Sequence, residues 1–379
     1  MKKAISLLGS TGSIGKNALE VIRHLGPDYS VVALAAHSQV DLIEQQADLY
    51  KPELVALYDE KAAAELKRRR PHLKVVAGLE GICEAASQCS ATMVLSALSG
   101  TIGLKPTLAA IQAKKDVALA NKEALVAGGE LVMSAVRKQG VKLLPVDSEH
   151  SALFQCLVGE EPDSISRLVL TASGGPFYTY TDEMLSSITS QQALNHPTWK
   201  MGPKVSCDSS TLMNKGLEMI EAHFLFNIPA SQIEVVIHPQ SLIHSMVEFK
   251  DGSIKAQLSE PDMKLPIQYA FTYPTRQAGL LKPFDFIKAS KLEFFYADHM
   301  KFRCLALAYQ ALFEGGSMPC YMNAANEILV SRFLQGSLGW SDIAKKLEML
   351  MNKHKRVEIK TLDTVLQVDR LARIEAKEI

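Results

Sequence analysis

Short apolar runs alternate with segments of helical periodicity in the first 147 residues of the chain. The runs predict buried strands at residues 5–8, 31–36, 54–57, 93–96, 117–120 and 141–146. Between the first two runs, a helix that ends at Gly26-Pro27 is predicted by apolar residues at helical spacing, namely Ile14, Ala18, Val21, Ile22 and Leu25. Continuous apolar strands that alternate with helices predict an α/β fold, in which helices cover both faces of a parallel sheet.

The pattern changes after residue 147. Strands predicted at 168–171, 235–237, 245–249 and 253–258 lie between polar segments, and Asp251-Gly252 is typical of a hairpin turn. These features predict a central α+β catalytic domain whose sheet is antiparallel at least in part. From residue 300 the periodicity is helical, which predicts a C-terminal helical bundle. The predicted domains are 1–147, 148–272 and 300–379, with a connector at 273–299 that is rich in proline, lysine and aromatic residues.

Composition narrows the class of protein. The 379 residues are 47% hydrophobic and 22% charged, which is typical of a globular chain of two or three domains. Basic and acidic residues number 41 each, so no net charge favours nucleic acid or an anionic membrane. We interpret the one basic run, at 67–70, as a solvated helix end. Six cysteines without a CxxC pair, and no signal-peptide core or membrane-length apolar run, predict reduced, mostly buried thiols in a cytoplasmic protein.

A glycine-rich turn, GSTGSIG at 9–15, joins the first strand to the first helix. Its glycines allow the backbone to approach a pyrophosphate, and the helix N-terminus offers N–H groups and a positive dipole end. Glycines also form ordinary turns, but this position favours a dinucleotide-binding, Rossmann-like domain. The second strand ends in Ala36-His37-Ser38, with no acidic residue before Asp41. NAD sites usually place an acid there, so the sequence favours NADP.

Two groups of polar residues are candidates for metal and phosphate binding. Asp147-Ser148-Glu149 follows the sixth predicted strand, and its carboxylates suit Mg²⁺ or Mn²⁺ as well as they suit a helix N-terminus. Residues 208–211 are predicted to start a helix that carries further polar groups, namely Asn214, Lys215, Glu218 and Glu221. Asn214 and Glu218 share a face of that helix, and the added carboxylate favours the metal interpretation.

Four other segments carry candidate residues, and three of them also have a structural interpretation. The turn at 171–176 is a second anion-binding candidate or a simple turn, and Asn121-Lys122-Glu123 ends a strand on the substrate side. The loop at 195–204 carries Trp199 and is predicted to be a lid, with a packed loop tryptophan as the alternative. The histidines of the 238–244 segment are candidates for substrate contact, and core histidines satisfied by the backbone are at least as common.

The chain resembles the 1-deoxy-D-xylulose 5-phosphate reductoisomerase family over almost its whole length. The resemblance rests on nine motifs in order: GSTGSIG (9–15), ANKE (120–123), PVDSEH (145–150), SGGP (173–176), HPTWKMG (196–202), DSSTLMNKGLE (208–218), HPQSLIHSMV (238–247), EPDMKLPI (260–267) and NAANE (323–327). It implies NADPH- and metal-dependent isomerisation and reduction of 1-deoxy-D-xylulose 5-phosphate to 2-C-methyl-D-erythritol 4-phosphate in non-mevalonate isoprenoid biosynthesis. A homodimer and Mg²⁺, Mn²⁺ or Co²⁺ as the metal are also implied.

The resemblance also implies roles for individual residues. NADPH would be held by Thr11, Gly12, Ser13, Ile14, Ala36, His37, Ser38, Asn121, Glu123 and Gly202. The metal would be bound by Asp147, Glu149 and Glu218, and the catalytic residues would be Lys122, Glu149, His196 and Glu218. The substrate would be bound by Lys122, Ser148, Glu149, Ser173, His196, Trp199, Met201, Ser209, Asn214, Lys215, Glu218 and His244. Members of the family often carry Gly, then Lys or Ser, then Asn where this chain has Ala36-His37-Ser38, so we expect any departure in cofactor contact at the 2′-phosphate.

Two other functions fit part of the sequence. The segment at 119–122 also resembles the active-site strand of homoserine dehydrogenase, another NAD(P) enzyme with a catalytic lysine. A nucleotide-sensing protein without catalytic activity is the second alternative. Neither explains the acidic cluster, the SGGP turn and the polar helix together.

Overall fold

The computed structural model describes residues 2–199 and 201–379, and the chain in it forms two compact units. The first unit takes its described residues from Met1–Ala124, Val132–Ser151 and Asp262–Lys282. The second unit consists of Leu125–Leu131, Ala152–Pro261 and Pro283–Ile379. Lys200, within the predicted lid, lies outside the described residues.

Twelve strands and seventeen helices form these two units in the described residues. The strands are β1 (Lys3–Leu8), β2 (Tyr29–Ala36), β3 (Leu54–Leu57), β4 (Val75–Ala77), β5 (Met93–Ser96), β6 (Asp116–Leu119), β7 (Leu143–Pro145), β8 (Ile165–Ala172), β9 (Ile233–Ile237), β10 (Ile243–Phe249), β11 (Ile254–Leu258) and β12 (Phe295–Tyr296). The helices are α1 (Ser13–Leu25), α2 (Val40–Tyr50), α3 (Glu60–Arg69), α4 (Gly78–Ala86), α5 (Leu104–Gln112), α6 (Lys122–Gln139), α7 (Ser148–Leu157), α8 (Asp182–Leu185), α9 (Ser190–Leu194), α10 (Pro203–Ser210), α11 (Met213–Phe226), α12 (Lys264–Thr272), α13 (Phe286–Ala289), α14 (Arg303–Glu314), α15 (Met318–Leu334), α16 (Trp340–Lys353) and α17 (Leu362–Glu378).

The first unit is built on a seven-stranded parallel sheet in the order β4-β3-β2-β1-β5-β6-β7. The predicted α/β class is therefore confirmed, and the sheet has one strand more than the six predicted. The missed strand, β4, has only three residues, and none of them is fully buried, so its apolar run is too short to predict a strand. Because β1 lies between β2 and β5, the strand order reverses at β1, and open α/β sheets bind ligands at such a point.

Helix α1 shows how the sequence produces this layer. Its apolar positions bury one face, with Ala18, Val21 and Ile22 at most 3% exposed. The helix ends at Gly26, whose φ of 80° lies in the region that favours glycine. The position and end of this helix agree with the prediction.

The second unit is built on a mixed five-stranded sheet in the order β11-β10-β8-β9-β12. Strands β10 and β11 form the predicted hairpin, and Gly252 in its turn has a φ of 84°. Strand β10 also pairs antiparallel with β8, whereas β8 and β9 are parallel. The partly antiparallel character is therefore confirmed. Strand β12 pairs with β9 and comes from the segment 273–299, where neither β12 nor α13 was predicted.

The C-terminal helices pack mainly on α15. This helix is buried on most of its surface, including its polar residues Asn323 and Asn326, and α16 and α17 lie against it. A helix that is apolar nearly all round is typical of the centre of a bundle. The predicted C-terminal helical bundle is confirmed.

The structure can be compared with three predictions that were made from the composition. The basic run lies at the end of α3, where Arg69 is 2.7 Å from Asp41 and 3.1 Å from Glu44, so acidic side chains of α2 compensate its charge. All six cysteines are free thiols and four are buried, as predicted. Within residues 2–199 and 201–379 we find no helix with both the length and the apolar character needed to cross a bilayer.

Candidate active site

The glycine turn after β1 is held tightly by neighbouring backbone. The N–H groups of Gly9 and Ser10 both donate to the carbonyl oxygen of Ala35, at 2.8 and 2.9 Å. Gly9 has a φ of 94°, and a Cβ there would lie 2.4 Å from the carbonyl oxygen of Ala97. A Cβ on Gly15 would lie 2.3 Å from the carbonyl oxygen of Gly9. Both positions therefore require glycine, because a Cβ would collide with the backbone after β5 at Gly9 and with the backbone of the turn itself at Gly15.

The residues predicted to hold the pyrophosphate lie on the accessible side of this turn. Gly12 is the N-cap residue of α1 and has no side chain to cap the helix. The N–H groups of the first turn are therefore available to an anion. Gly12 and Ser13 are exposed, and Thr11 and Ile14 are half-buried.

The end of β2 presents an imidazole and a hydroxyl rather than a carboxylate. Ala36 is buried, whereas His37 and Ser38 are exposed. The His37 ring stacks on Tyr58, with ring centroids 5.3 Å apart and an angle of 27° between the planes. Tyr58 directly follows β3, as His37 directly follows β2. Tyr58 is not among the predicted site residues, although its position at the carboxyl end of a strand was a usable signal.

The segment after β6 forms a small polar network. The Asn121 amide donates to the carbonyl oxygen of Gly100 at 3.1 Å and to Glu123 Oε2 at 2.9 Å. Asn121 and Glu123 are buried, at 1% and 7% exposure. Since each side chain fixes the other, both are held in one orientation at the carboxyl edge of the sheet.

A lysine and a histidine surround the carboxylate of Asp147. Lys122 Nζ lies 2.6 Å from Asp147 Oδ2, and His150 Nδ1 lies 3.4 Å from Asp147 Oδ1. Burial alone would raise the pKa of Asp147, but the Lys122 ammonium and the hydrogen bond from His150 hold that pKa well below its usual value. Asp147 is therefore ionised at neutral pH, as a metal ligand must be.

Ser148 and Glu149 begin α7 immediately after this carboxylate. Ser148 Oγ donates to Glu149 Oε2 at 2.7 Å, and the Glu149 N–H lies 3.4 Å from Asp147 Oδ1. The second distance is long for a hydrogen bond, so Asp147 caps α7 only weakly. The strand before this segment is the seventh of its sheet and not the sixth, because β4 was missed.

The helix that carries the second polar group begins later than predicted. Asp208 and Ser209 lie in the last turn of α10, and α11 begins at Met213 after Leu212, whose φ is 58°. The prediction that residues 208–211 start a helix was therefore wrong. Thr211 Oγ1 bonds to the carbonyl oxygen of Asp208 at 3.2 Å and accepts the Met213 N–H at 3.3 Å. Such local hydroxyl bonds compete with the helix ladder and explain the break.

The carboxylate of Glu218, in the second unit, is contacted at both oxygen atoms by neighbouring side chains. It is 2% exposed, and Asn214 Nδ2 donates to its Oε1 at 2.5 Å. Its Oε2 forms an ion pair with Lys215, which is itself 5% exposed. The predicted shared face of Asn214 and Glu218 is confirmed. The charge of Lys215 is balanced by Glu218, and its ammonium has three N–H donors, so it can also serve a phosphate.

The SGGP turn closely approaches the end of α10. The Gly175 N–H lies 3.2 Å from Ser173 Oγ. Gly175 has a φ of 62°, and a Cβ there would lie 2.6 Å from the carbonyl oxygen of Ser209. The structure therefore brings together the two segments that sequence analysis proposed separately as anion-binding candidates.

His196 is a neutral imidazole in a defined tautomer. Its Nδ1 accepts the N–H groups of Thr198 and Trp199, at 3.2 and 2.9 Å, so Nδ1 carries no proton. The proton of the neutral ring is then on Nε2, which donates to Ser173 Oγ at 2.9 Å. Burial lowers the pKa of His196 from 6.5 to about 4. One side chain thus links the loop at 195–204 to the SGGP turn.

The remaining lid residues pack on a second histidine. The Trp199 ring meets the His244 ring edge to face, with centroids 6.3 Å apart, and both Trp199 and Met201 are half-buried. His244 is buried, with Nε2 3.3 Å from the carbonyl oxygen of Ser259, and Gly202 is exposed. The loop tryptophan is therefore packed along one side while the loop remains at the surface.

His238 has the structural role that we considered as an alternative. Its Nε2 accepts the N–H groups of Leu242 and Ile243, both at 3.2 Å. Its Nδ1 lies 2.9 Å from the carbonyl oxygen of Glu293 and donates to it. Both ring nitrogens are used by the backbone, so His238 organises the turn before β10.

We expect His196 to make the stability of the protein depend on pH below neutrality. The unfolded chain takes up a proton near pH 6.5 and the folded chain only near pH 4, so acid favours the unfolded state between these values. Thermal unfolding should show a melting temperature that falls as the pH drops through this range. The slope should be shallower in His196→Gln, which has no ring to protonate. Equal slopes in the two proteins would contradict the buried neutral ring.

Family models match most of the chain. A 1-deoxy-D-xylulose 5-phosphate reductoisomerase model matches residues 5–129, and the model of the C-terminal domain of that enzyme matches residues 143–226. A third model, DXP reductoisomerase C-terminal domain, matches residues 258–375. The matches extend over both units.

Curated relatives and solved structures agree with these models. The 1-deoxy-D-xylulose 5-phosphate reductoisomerase of Protochlamydia amoebophila is 58% identical, over 99% of this chain and 97% of its own. That of Chloroherpeton thalassium is 48% identical, over 97% and 95%. The Zymomonas mobilis reductoisomerase, solved in complex with NADPH, is 40% identical with a TM-score of 0.94, over 100% of this chain and 99% of its own.

A further solved structure contains other bound groups. It is a DOX-P reductoisomerase in complex with NADPH, fosmidomycin and magnesium, and it is 37% identical with a TM-score of 0.95, over 99% of this chain and 98% of its own. Identity at this level over the full length sets aside both the dehydrogenase and the nucleotide-sensor alternatives. The chain belongs to the 1-deoxy-D-xylulose 5-phosphate reductoisomerase family.

Proposed function

We propose that this chain converts 1-deoxy-D-xylulose 5-phosphate to 2-C-methyl-D-erythritol 4-phosphate with NADPH and a divalent metal ion, as a step of non-mevalonate isoprenoid biosynthesis. The observation that carries the proposal is 58% identity over 99% of the chain to a curated enzyme of that name. The chain is thus an NADP-dependent oxidoreductase that also isomerises its substrate.

NADPH fits the chemistry of the first unit. The turn at 9–15 offers glycine backbone and an uncapped helix N-terminus to the pyrophosphate. Contacts with the rest of the cofactor come from Ala36, His37, Ser38, Asn121, Glu123 and Gly202. The exposed imidazole and hydroxyl after β2 favour a 2′-phosphate over the bare ribose hydroxyls of NADH.

A divalent cation fits the three carboxylates of Asp147, Glu149 and Glu218. All are hard oxygen donors, and the depressed pKa of Asp147 keeps it charged at neutral pH. Mg²⁺ is the first candidate, since a related structure contains magnesium. Mn²⁺ and Co²⁺ accept the same donors and are the alternatives.

The phosphorylated sugar fits the chemistry of the polar groups of the second unit. Ser173, Ser209, Asn214 and Lys215 bind the phosphate and nearby hydroxyls, where Lys215 supplies the positive charge. The other contacts come from Lys122, Ser148, Glu149, His196, Trp199, Met201, Glu218 and His244. The related structure contains bound fosmidomycin, which motivates a competition assay with this protein.

The reaction breaks one carbon–carbon bond in a retro-aldol step and forms a different one in an aldol step, and the branched aldehyde phosphate is then reduced. When bound, the metal supplies Lewis-acid polarisation and NADPH supplies the hydride. The phosphate contacts lie away from the reacting carbons and hold the fragments in register. Lys122 and His196 donate hydrogen bonds to substrate oxygens, and Glu149 and Glu218 orient the polarised end of the sugar.

The loop at 195–204 excludes water from the reacting carbons. Its tryptophan has a packed edge on His244 and a partly exposed surface, which suits a residue that covers a ligand. His196 holds the base of this loop through its two backbone contacts. Closure therefore brings the His196 ring and the Trp199 ring to the substrate in one movement.

The direct test follows the absorbance of NADPH in the presence of 1-deoxy-D-xylulose 5-phosphate, with and without Mg²⁺ or Mn²⁺. We expect metal-dependent oxidation of NADPH, much slower oxidation of NADH, and formation of 2-C-methyl-D-erythritol 4-phosphate by mass spectrometry. Folded, metal-loaded protein that oxidises no NADPH with this substrate would contradict the proposal.

A homodimer is the proposed assembly, formed through the exposed apolar segment 286–300. Ile287, Tyr296 and Met300 are 89%, 94% and 84% exposed, and β12 is an edge strand of its sheet. We expect light scattering to give the mass of two chains, and of one chain in the double variant Ile287→Lys, Tyr296→Lys. Phe313→Lys, at an equally exposed residue of α14, is the control and should remain dimeric. A monomeric parent protein would exclude the dimer.

The cellular compartment and the domain division are also proposals. The free, mostly buried thiols support a cytoplasmic protein, which cell fractionation tests. The division at 147, 272 and 299 is tested by limited proteolysis, with cleavage expected in the connector 273–299 before the flanking domains.

A further inference from the structure

A buried polar contact joins the C-terminal bundle to the end of α10. Asn326 Nδ2 on α15 donates to Asp208 Oδ1 at 2.8 Å, across 118 residues of sequence. Lys204 Nζ lies 2.9 Å from the other carboxylate oxygen, Oδ2. Asp208 is 1% exposed and Asn326 is fully buried. Asn326 belongs to the NAANE motif at 323–327, to which the proposed function gives no role.

A second buried contact reaches the same helix end. Trp340 Nε1 on α16 donates to Ser210 Oγ at 2.9 Å, and Ser210 Oγ in turn donates to the carbonyl oxygen of Cys207 at 2.7 Å. Two helices of the bundle, α15 and α16, thus bond to the two residues on either side of Ser209, namely Asp208 and Ser210. The polar side chains of this short segment therefore bond to the bundle as well as within α10.

This segment is where the phosphate-binding candidates are concentrated. Ser209 lies between the two anchored residues, and the chain then breaks at Leu212 before Asn214 and Lys215 enter the first turn of α11. A helix break has few backbone hydrogen bonds of its own to fix its angle. The angle between α10 and α11, and with it the spacing of Ser209 and Lys215, therefore depends on outside contacts.

The chemistry of the anchor favours a role in orientation. Burying a carboxylate is costly, and an apolar pair of the same size would pack α10 against α15 at least as stably. A charge-assisted hydrogen bond adds a fixed direction and distance that an apolar contact lacks. The pair of Asp208 and Asn326 is thus suited to set geometry more than to add stability.

We propose that Asp208 and Asn326 are positioning residues, through which the C-terminal helices fix the α10–α11 junction and so the phosphate-binding groups Ser209, Asn214 and Lys215. The inference rests on the proposed function, because it concerns the phosphate of that substrate. It gives Asn326, one residue of the NAANE motif, a part in substrate binding without direct contact with the substrate.

The test compares leucine substitutions at two buried asparagines of the same helix, α15. Asn326→Leu keeps the volume but removes the donor to Asp208, whereas Asn323→Leu removes a bond to Glu327 Oε1 (3.2 Å) that stays within α15. We expect N326L to raise the KM for 1-deoxy-D-xylulose 5-phosphate about tenfold, with kcat changed much less. N323L, at a comparable loss of thermal stability, should leave this KM unchanged. The KM for NADPH should be the same in both.

Inorganic phosphate separates positioning from general damage. As a competitive inhibitor it reports on the phosphate contacts alone, so its inhibition constant should rise about tenfold in N326L and stay constant in N323L. Asp208→Asn keeps the shape and the acceptor for Asn326 but loses the charge facing Lys204, and it should give an intermediate increase. If N326L does not fold, D208N carries the test.

The outcomes are distinguishable. Unchanged phosphate inhibition in N326L and D208N, or equal losses in N326L and N323L, would overturn the positioning role while the proposed function stands. A parent protein that shows no turnover of 1-deoxy-D-xylulose 5-phosphate would instead remove the function, and the inference with it.

Discussion

Replacing Glu218 with glutamine is expected to lower kcat/KM for 1-deoxy-D-xylulose 5-phosphate by about a thousandfold, because it removes one of three carboxylates proposed to bind the metal. Glutamine has the same shape and can still accept the hydrogen bond that Asn214 donates to Glu218 at 2.5 Å in the parent protein. The change therefore removes a negative charge with little disturbance of packing. It also leaves the buried Lys215 without its counter-charge, so the phosphate contact is affected as well.

The measurement is steady-state NADPH oxidation over a range of Mg²⁺ concentrations, with metal binding followed by calorimetry. E218Q should need far more Mg²⁺ and should not recover full activity at saturation. Glu327→Gln is the control, since Glu327 pairs with Arg373 at 2.5 Å inside the helical bundle. It also loses an ion pair, and we expect lower stability with normal turnover. Full turnover in E218Q would remove Glu218 from the metal site.

Replacing Gly15 with alanine is expected to weaken NADPH binding at least about a hundredfold and to destabilise the fold by about 2–4 kcal/mol. The added Cβ would lie 2.3 Å from the carbonyl oxygen of Gly9 and 2.5 Å from the Cα of Ser10. These are backbone atoms, so the contact cannot be relieved by a side-chain rotation. The turn must open, and the N–H groups that face the pyrophosphate lose their alignment.

Gly12→Ala is the matched variant in the same turn. A Cβ on Gly12 would lie 3.4 Å from the carbonyl oxygen of Gly9, an ordinary contact, so the fold should be nearly as stable as the parent. Its NADPH affinity should nevertheless fall, because the new methyl group lies on the accessible side where the cofactor approaches. Fluorescence titration with NADPH and chemical denaturation check both variants. If G15A binds NADPH normally, the turn is not the pyrophosphate site.

The strand and helix pattern of the first unit was readable because its signals are local. Buried parallel strands are continuous apolar runs, and α1 shows the helical period and a glycine end, so each needs only its own residues to be recognised. Strand β4 was missed because its apolar run has only three residues. The same limit explains β12, whose two exposed residues are defined only by pairing with β9.

The start of α11 shows where local reasoning gives the wrong answer. Asp208 followed by serines and a threonine is typical of a helix start, since such side chains cap N–H groups. In the structure the hydroxyls bond backward to carbonyl oxygens and end α10 instead. Both uses of a hydroxyl are close in energy, and contacts with α15 and α16 favour one of them.

The sequence by itself determined the family, the α/β class of the first unit, and the residue types available for cofactor, metal and phosphate, because motifs and periodicity are properties of neighbouring residues. Only the tertiary structure decided which groups meet: Lys122 with Asp147, His196 with Ser173, and Asn326 with Asp208. The charge of Asp147 and the angle at Leu212 are set by these distant partners, whereas the tautomer of His196 follows from its neighbours Thr198 and Trp199. Burial and pairing act through space, and so no pattern along the chain encodes them.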